Sequence, residues 1–180
     1  MNDVQPVKDL AIVALIPELL IKHYTQQFAD VWIFGVNTAL RITDLLNIKF
    51  SEIKDDRLCI REGKTKKVAD ILLNDRARAI VARIRAERPQ AIYLFESNIY
   101  AGKPLTRQAV GQTFKAIGDI VGVRLNTHSM RKTRGYHLYQ KTKRIEPIMK
   151  MLRHSRPSDT LRYIGIDQDE MDQHSIELEL

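Results

Sequence analysis

Several features are scarce or missing in this 180-residue chain, and each narrows the reading. One cysteine, Cys59, cannot form an internal disulfide and suits a reducing compartment. No apolar run is long enough to span a bilayer: the longest, Leu10 to Leu20, is interrupted by Pro17 and Glu18. The opening residues, Met-Asn-Asp-Val-Gln-Pro, have neither the basic nor the apolar stretch of a secretory signal, so a cytoplasmic protein with no membrane partner is expected. No internal repeat and no low-complexity segment is present. With 44% apolar and 28% charged residues, the composition excludes a disordered chain or a fibre. There is no glycine-rich phosphate loop. The five histidines (His23, His128, His137, His154 and His174) follow no metal-ligand spacing. Carboxylates are scattered rather than clustered as a two-metal site requires, so no metal and no other cofactor is expected.

What is abundant is positive charge. Lys and Arg number 29 against 22 Asp and Glu, a net charge of +7. Residues 166–180 (IDQDEMDQHSIELEL) hold six acids and no Lys or Arg, which leaves 29 bases against 16 acids, or +13, in the first 165. So basic a body attracts polyanions, nucleic acid above all. The acidic segment interleaves Met171, Ile176, Leu178 and Leu180 with its carboxylates, the pattern of a short amphipathic helix.

Helical periodicity dominates. Helices are expected over 10–24 (kinked or restarted at Pro17), 26–38, 42–48, 74–88, 106–120, 128–140, 145–152 and 158–164, with Asn74 and Thr127 as caps and Gly122 as a stop. Residues 57–61 (RLCIR) and 67–73 (KVADILL), joined by Glu-Gly-Lys-Thr-Lys, read as a β-hairpin. Residues 91–97 (AIYLFES) read as a short extended piece. The expected fold class is α+β, mainly α, with a small antiparallel sheet. No linker interrupts it, so residues 1–180 are expected to form one domain, with 167–180 as an acidic C-terminal helix or tail.

Chemistry concentrates at a few places. In Thr127-His128-Ser129-Met130-Arg131, a histidine and an arginine three residues apart share the first turn of a helix. Free backbone N–H groups and the positive end of the helix dipole point the same way, which outlines an anion site. Arginine suits it because a planar guanidinium holds two non-bridging phosphate oxygens at once. His154 follows in LRH and Tyr163 in TLRYIG, and Arg41 with Asp44 lies far upstream in NTALRITDLL. Taken singly, each reads equally well as a surface pair, a core tyrosine or a structural ion pair.

In combination these residues resemble the catalytic domain of the tyrosine recombinases, the phage integrase family. That signature is an Arg in a T-G-L-R-x-x-E/D-L-L context, a Lys in a β-hairpin, H-x-x-R, L-G-H, and a Tyr nine residues after that His. Arg41, Lys64, His128, Arg131, His154 and Tyr163 stand in this order across residues 38–165. Two positions depart from it: Ala39 and Arg153 stand where glycine is usual. The helical DNA-binding domain that usually precedes this unit is not expected here, since nothing before Val7 can supply it.

The resemblance implies a DNA-cutting and rejoining enzyme. Tyr163 would attack a phosphodiester and form a covalent 3′-phosphotyrosine, Arg41, Arg131 and His154 would stabilise the transition-state charge, and His128 would take the phenolic proton. Lys64 would protonate the leaving 5′-oxygen, with Lys66 and Lys67 as competitors. Asp44 is expected to orient Arg41 or support its helix. Double-stranded DNA is the expected partner, with phosphate contacts from Lys66, Lys67, Lys132, Arg134, Lys141 and Arg153. A homo-oligomer assembled on DNA through the C-terminal segment is expected, nucleoid-associated when bound. The competing readings are a non-enzymatic DNA-binding relative and a type IB topoisomerase.

Overall fold

In the computed structural model, which describes residues 4–166, the apolar stretch 10–38 folds into two packed helices, α1 (Leu10–His23) and α2 (Gln26–Thr38). Asp9 caps α1 by accepting from the Ala11 N–H at 2.7 Å. The helix continues through Pro17 rather than restarting, with Ile16 and Leu20 buried on either side of it. Burying the flanking side chains offsets the backbone hydrogen bond that proline cannot donate. Helix α2 is apolar nearly all round and lies at the centre, packed by α1, α4 and α6. Trp32 meets Phe114 edge-on at 5.4 Å, and Phe34 meets Phe95 at 5.6 Å.

After α2 come α3 (Ile42–Leu46), a 3₁₀ turn at Phe50–Glu52, and a three-stranded antiparallel sheet of β1 (Ile53–Lys54), β2 (Arg57–Arg61) and β3 (Val68–Leu72), in the order β1-β2-β3. Leu58 pairs with Ile71 and Ile60 with Ala69. Strand β1 was not expected. It is too short to show alternation, and its turn uses Asp55 and Asp56 at φ 45° and 62° where Asn-Gly would have announced a hairpin. Aspartate tolerates this left-handed backbone better than most residues.

Helices α4 (Asp75–Glu87), α5 (Arg107–Val121), α6 (Ser129–Thr142), α7 (Glu146–Leu152) and α8 (Pro157–Ile164) complete the mainly helical α+β fold. Asn74 caps α4 and Gly122 ends α5 at φ 69°, both as expected; the structure adds Thr106, which starts α5 by accepting from the Ala109 N–H. Residues 91–97 differ from expectation: they form no strand. The buried Glu96 carboxylate there accepts from the N–H groups of Ile92, Tyr93 and Gly102, so the segment curls around a charge. Helix α6 also begins one residue late, with His128 as its N-cap, and the Thr127 side chain caps nothing. Asn126 accepts from the His128 N–H instead.

Two close approaches set the frame for the site. A Cβ on Gly35 would come within 2.1 Å of Met130 Sδ, so glycine lets α2 touch α6. A Cβ on Gly135 would come within 2.6 Å of Ile164 Cγ2, so glycine also lets α8 lie against α6. A second apolar cluster (Ile148, Leu152, Ile164 and Ile166) holds α7 and α8 there. The acidic segment 167–180 lies outside the described residues, and among the described residues no helix is long and apolar enough to cross a membrane.

Candidate active site

The site forms where the ends of α2 and α7 meet the start of α6. Helix α2 stops at Ala39, in the left-handed region at φ 56°, and α7 stops at Arg153, at φ 57°. Both departures from glycine therefore sit where glycine would be least strained. The turn after Ala39 delivers Arg41, and the turn after Arg153 delivers His154.

Arg131, 3% exposed, ties these turns together. One of its terminal nitrogens donates to the Ala39 carbonyl and the other to the Leu152 carbonyl. Helix-end carbonyls are the negative end of the dipole, so a buried guanidinium is well placed between two of them. Burial works against the Arg131 charge, Tyr163 supports it, Arg41 opposes it, and Glu62 and Asp44 add support. Arg41 itself is held by a 3.0 Å ion pair from Nη1 to Glu62 Oε1.

His128 and Tyr163 open onto a shared cavity of about 390 Å³, with Asn126, Lys132, Asp159 and Arg162 on its wall. Partial loss of solvent, then the charges of Arg107, Arg131, Lys132 and Arg41, push His128 below its ordinary pKa. It is therefore neutral near pH 7 and able to accept a proton. His154 is also pushed down, first by burial and then by Arg131, with Asp159 opposing. Its Nδ1 lies 3.2 Å from Thr160 Oγ1, whose own proton goes to the Arg156 carbonyl at 3.1 Å, so Nδ1 is the donor in that pair. The His154 ring meets Tyr163 edge-on at 5.0 Å.

Lys64 occupies the turn at residues 63–65 of the β2–β3 loop, exposed, with Lys66 and Lys67 exposed beside it. That loop is closed by hydrogen bonds from Glu62 N–H to the Lys67 carbonyl (3.0 Å) and from Lys66 N–H to the Glu62 carbonyl (2.9 Å). Asp44 accepts from the Gly63 N–H at 2.8 Å, so it holds the hairpin loop rather than orienting Arg41.

The remaining cations expected to contact phosphate divide into two groups. Lys66, Lys67 and Lys141 are exposed. Lys132 is buried, with Nζ 4.9 Å from the centre of the Tyr163 ring, and so lies beside the tyrosine rather than on the open surface. Arg134 is half-buried, and burial alone lowers its pKa. Arg153 is half-buried and engaged with Glu62 at 3.3 Å and with the Val68 carbonyl at 2.9 Å.

Two residues escaped the sequence reading. Arg107, at the start of α5, adds its charge next to His128. Glu62, 2% exposed, is the acid around which Arg41 and Arg153 gather. Its signal was present: Leu58 and Ile60 point inward, and the same period of two carries Glu62 inward as well.

The chain belongs to the phage integrase family: that family's model matches residues 21–170. Its fold is that of a tyrosine recombinase catalytic domain. It is 34% identical over 171 residues to "Probable integrase/recombinase YoeC" of Bacillus subtilis (strain 168), covering 94% of this chain and 93% of that protein. The crystal structure of the XerA recombinase superposes with a TM-score of 0.76 at 14% identity, over 98% of this chain and 65% of that one. A post-cleavage complex of the XerH site-specific recombinase with its palindromic difH substrate superposes with a TM-score of 0.73 at 18% identity, over 97% of this chain and 53% of that one. This chain thus spans about two thirds and half the length of those two solved proteins.

Proposed function

We propose that this protein is a site-specific DNA recombinase that cuts and rejoins strands through a phosphotyrosine. The observation that carries the reading is the convergence of Tyr163, His128 and Lys132 on one cavity, with His154 edge-on to the tyrosine and Arg131 coupled to it electrostatically. A binding module has no use for a tyrosine whose ring lies against a lysine and that shares a cavity with a histidine. Membership of the family and likeness to a DNA-bound recombinase support the same conclusion.

The step balances without an external cofactor. Tyr163 Oη attacks phosphorus and its proton passes to His128, whose lowered pKa leaves it free to accept. A phenol, with a pKa near 10, needs that help at neutral pH. Arg41 and Arg131 stabilise the charge on the non-bridging oxygens, with Lys132 beside the ring. His154, with Nδ1 already donating to Thr160, supplies a second N–H only as the imidazolium. The P–O5′ bond breaks, and Lys64 gives that oxygen its proton. The products are a 3′-phosphotyrosine and a 5′-hydroxyl, and reversal on a partner strand completes recombination.

Double-stranded DNA is the partner. Lys66, Lys67 and Lys141 are the exposed cations for phosphate contact, and assembly into a homo-oligomer on DNA would use the acidic C-terminal segment. Such a protein works where the chromosome is, in the cytoplasm. Incubating the protein in EDTA with a pool of nicked duplexes of randomised sequence tests the reading. An SDS-resistant protein–DNA adduct is expected, absent from Tyr163→Phe. DNA binding with no adduct would leave a binding module, and relaxation of plasmids without site preference would leave a topoisomerase.

A further inference from the structure

A buried carboxylate is costly unless paired and hydrogen-bonded, and Glu62 is paired on three sides. Its Oε1 takes Arg41 Nη1 at 3.0 Å. Its Oε2 takes the Thr65 hydroxyl at 2.7 Å and Arg153 Nε at 3.3 Å. The three partners come from different places: the start of α3, the tip of the β2–β3 hairpin and the left-handed end of α7. Each is next to, or is itself, a residue of the reaction proposed above. Arg41 is one phosphate clamp, Thr65 follows Lys64, and Arg153 precedes His154. Asp44 holds the other side of the loop at the Gly63 N–H, so Lys64 is bracketed by two carboxylates.

Arg153 adds a second argument. It holds a left-handed backbone, φ 57°, that glycine would adopt with less strain. Its side chain gains contacts that glycine cannot make: the ion pair with Glu62 and a 2.9 Å bond from Nη2 to the Val68 carbonyl, at the start of β3. The arginine thereby fastens the hairpin to the end of α7.

We propose that Glu62, with Arg153 as its clasp, is the positioning residue that locks the Lys64 hairpin against Arg41 and His154 so that the leaving oxygen and the attacked phosphate are served in one geometry. This rests on the recombinase reading. Glu62 contacts Arg41, Thr65 and Arg153, and it acts on the reaction mainly through the placement of Lys64.

The test compares Glu62→Gln, Arg153→Gly and Lys64→Ala on two substrates, ordinary DNA and DNA with sulfur in place of the bridging 5′-oxygen. A thiolate, whose conjugate acid has a pKa of about 8.5, leaves without a donated proton, whereas an alkoxide does not. Adduct formation on ordinary DNA is expected to slow about 10–100-fold in Glu62→Gln and Arg153→Gly, part of the ~10²–10⁴ that a well-placed acid supplies. On the sulfur substrate most of that loss should disappear, following Lys64→Ala. An equal loss on both substrates, or no loss on either, overturns the proposal. Arg153→Gly keeps a backbone suited to its φ, so it remains informative if Glu62→Gln folds poorly. Amide hydrogen exchange over residues 62–67 needs no DNA, and both substitutions should accelerate it. Unchanged exchange overturns the clasp even if the parent cleaves well. A parent inert on every DNA overturns the recombinase reading instead, and the exchange result still decides the clasp.

Discussion

Replacing Arg131 with lysine separates what this residue does for the fold from what it does for the reaction. The guanidinium spans two carbonyls, those of Ala39 and Leu152, with its two terminal nitrogens. An ammonium is a single point and serves one of them. The other carbonyl stays in the interior without its charged partner. A hydrogen bond to a charged group is worth about 1.5–3 kcal/mol. For a chain of this size each kcal/mol moves the melting temperature by roughly 2–4 °C, so Arg131→Lys should melt ~3–12 °C lower. Relief of burial does not compensate, because an ammonium is more strongly hydrated than a guanidinium and loses at least as much on entering the interior. Catalysis should fall further. On the proposed reaction, losing a guanidinium that stabilises transition-state charge costs about 10²–10³ in rate where comparable donors are removed. Thermal unfolding followed by circular dichroism reads the first effect, and single-turnover adduct formation reads the second. A variant melting within about 1 °C of the parent would refute the bridging role, and an unchanged adduct rate would refute the catalytic one.

Other expected outcomes are as direct. Both His128 and His154 have folded pKa values below the ordinary value of about 6.5, so below that pH the unfolded chain binds more protons than the folded one. Stability is therefore full above pH ~6.5 and declines as the pH falls through it. Denaturant melts between pH 7 and 5 should show the decline, and His128→Asn should flatten it. Gly135→Ala would push Ile164, and with it the helix carrying Tyr163, at a cost of about 1–3 kcal/mol. Combining it with Ile164→Ala should recover part of that loss, and strict additivity in urea melts would count against the contact. Asn74→Ala removes the α4 cap and a bond to Asn37, and should cost ~1 kcal/mol in the same assay. Tyr163→Phe should abolish the adduct while leaving DNA affinity in place, and that affinity should fall steeply with salt on a gel-shift titration.

Local chemistry made much of this protein legible from its residues alone. Helix α2 was readable from its mostly apolar run, α4 from its Asn74 cap, the end of α5 from Gly122, and the β2–β3 hairpin from a glycine-bearing connection between partly alternating segments. These are signals among residues a few positions apart, where propensity and capping act. The same range explains the misses. Strand β1 was too short to alternate, residues 91–97 were extended in composition but bent around Glu96, and the α6 cap passed from Thr127 to His128 because Asn126 supplied the bond.

Order along the chain brought Arg41, Lys64, His128, Arg131, His154 and Tyr163 together as candidates, since their types and gaps fit one family. Which side chains meet could be decided only in three dimensions. Arg131 bridges residues 92 and 21 positions away, and Glu62 and Arg153 stand 91 apart. Lys132 and Arg153, read as surface phosphate contacts, turn inward to Tyr163 and Glu62. Contacts over such separations depend on how the ends of α2 and α7 and the start of α6 pack against one another, and no local pattern encodes that. The residue types set which groups could do the chemistry, and burial of charge among opposite partners set where each one points.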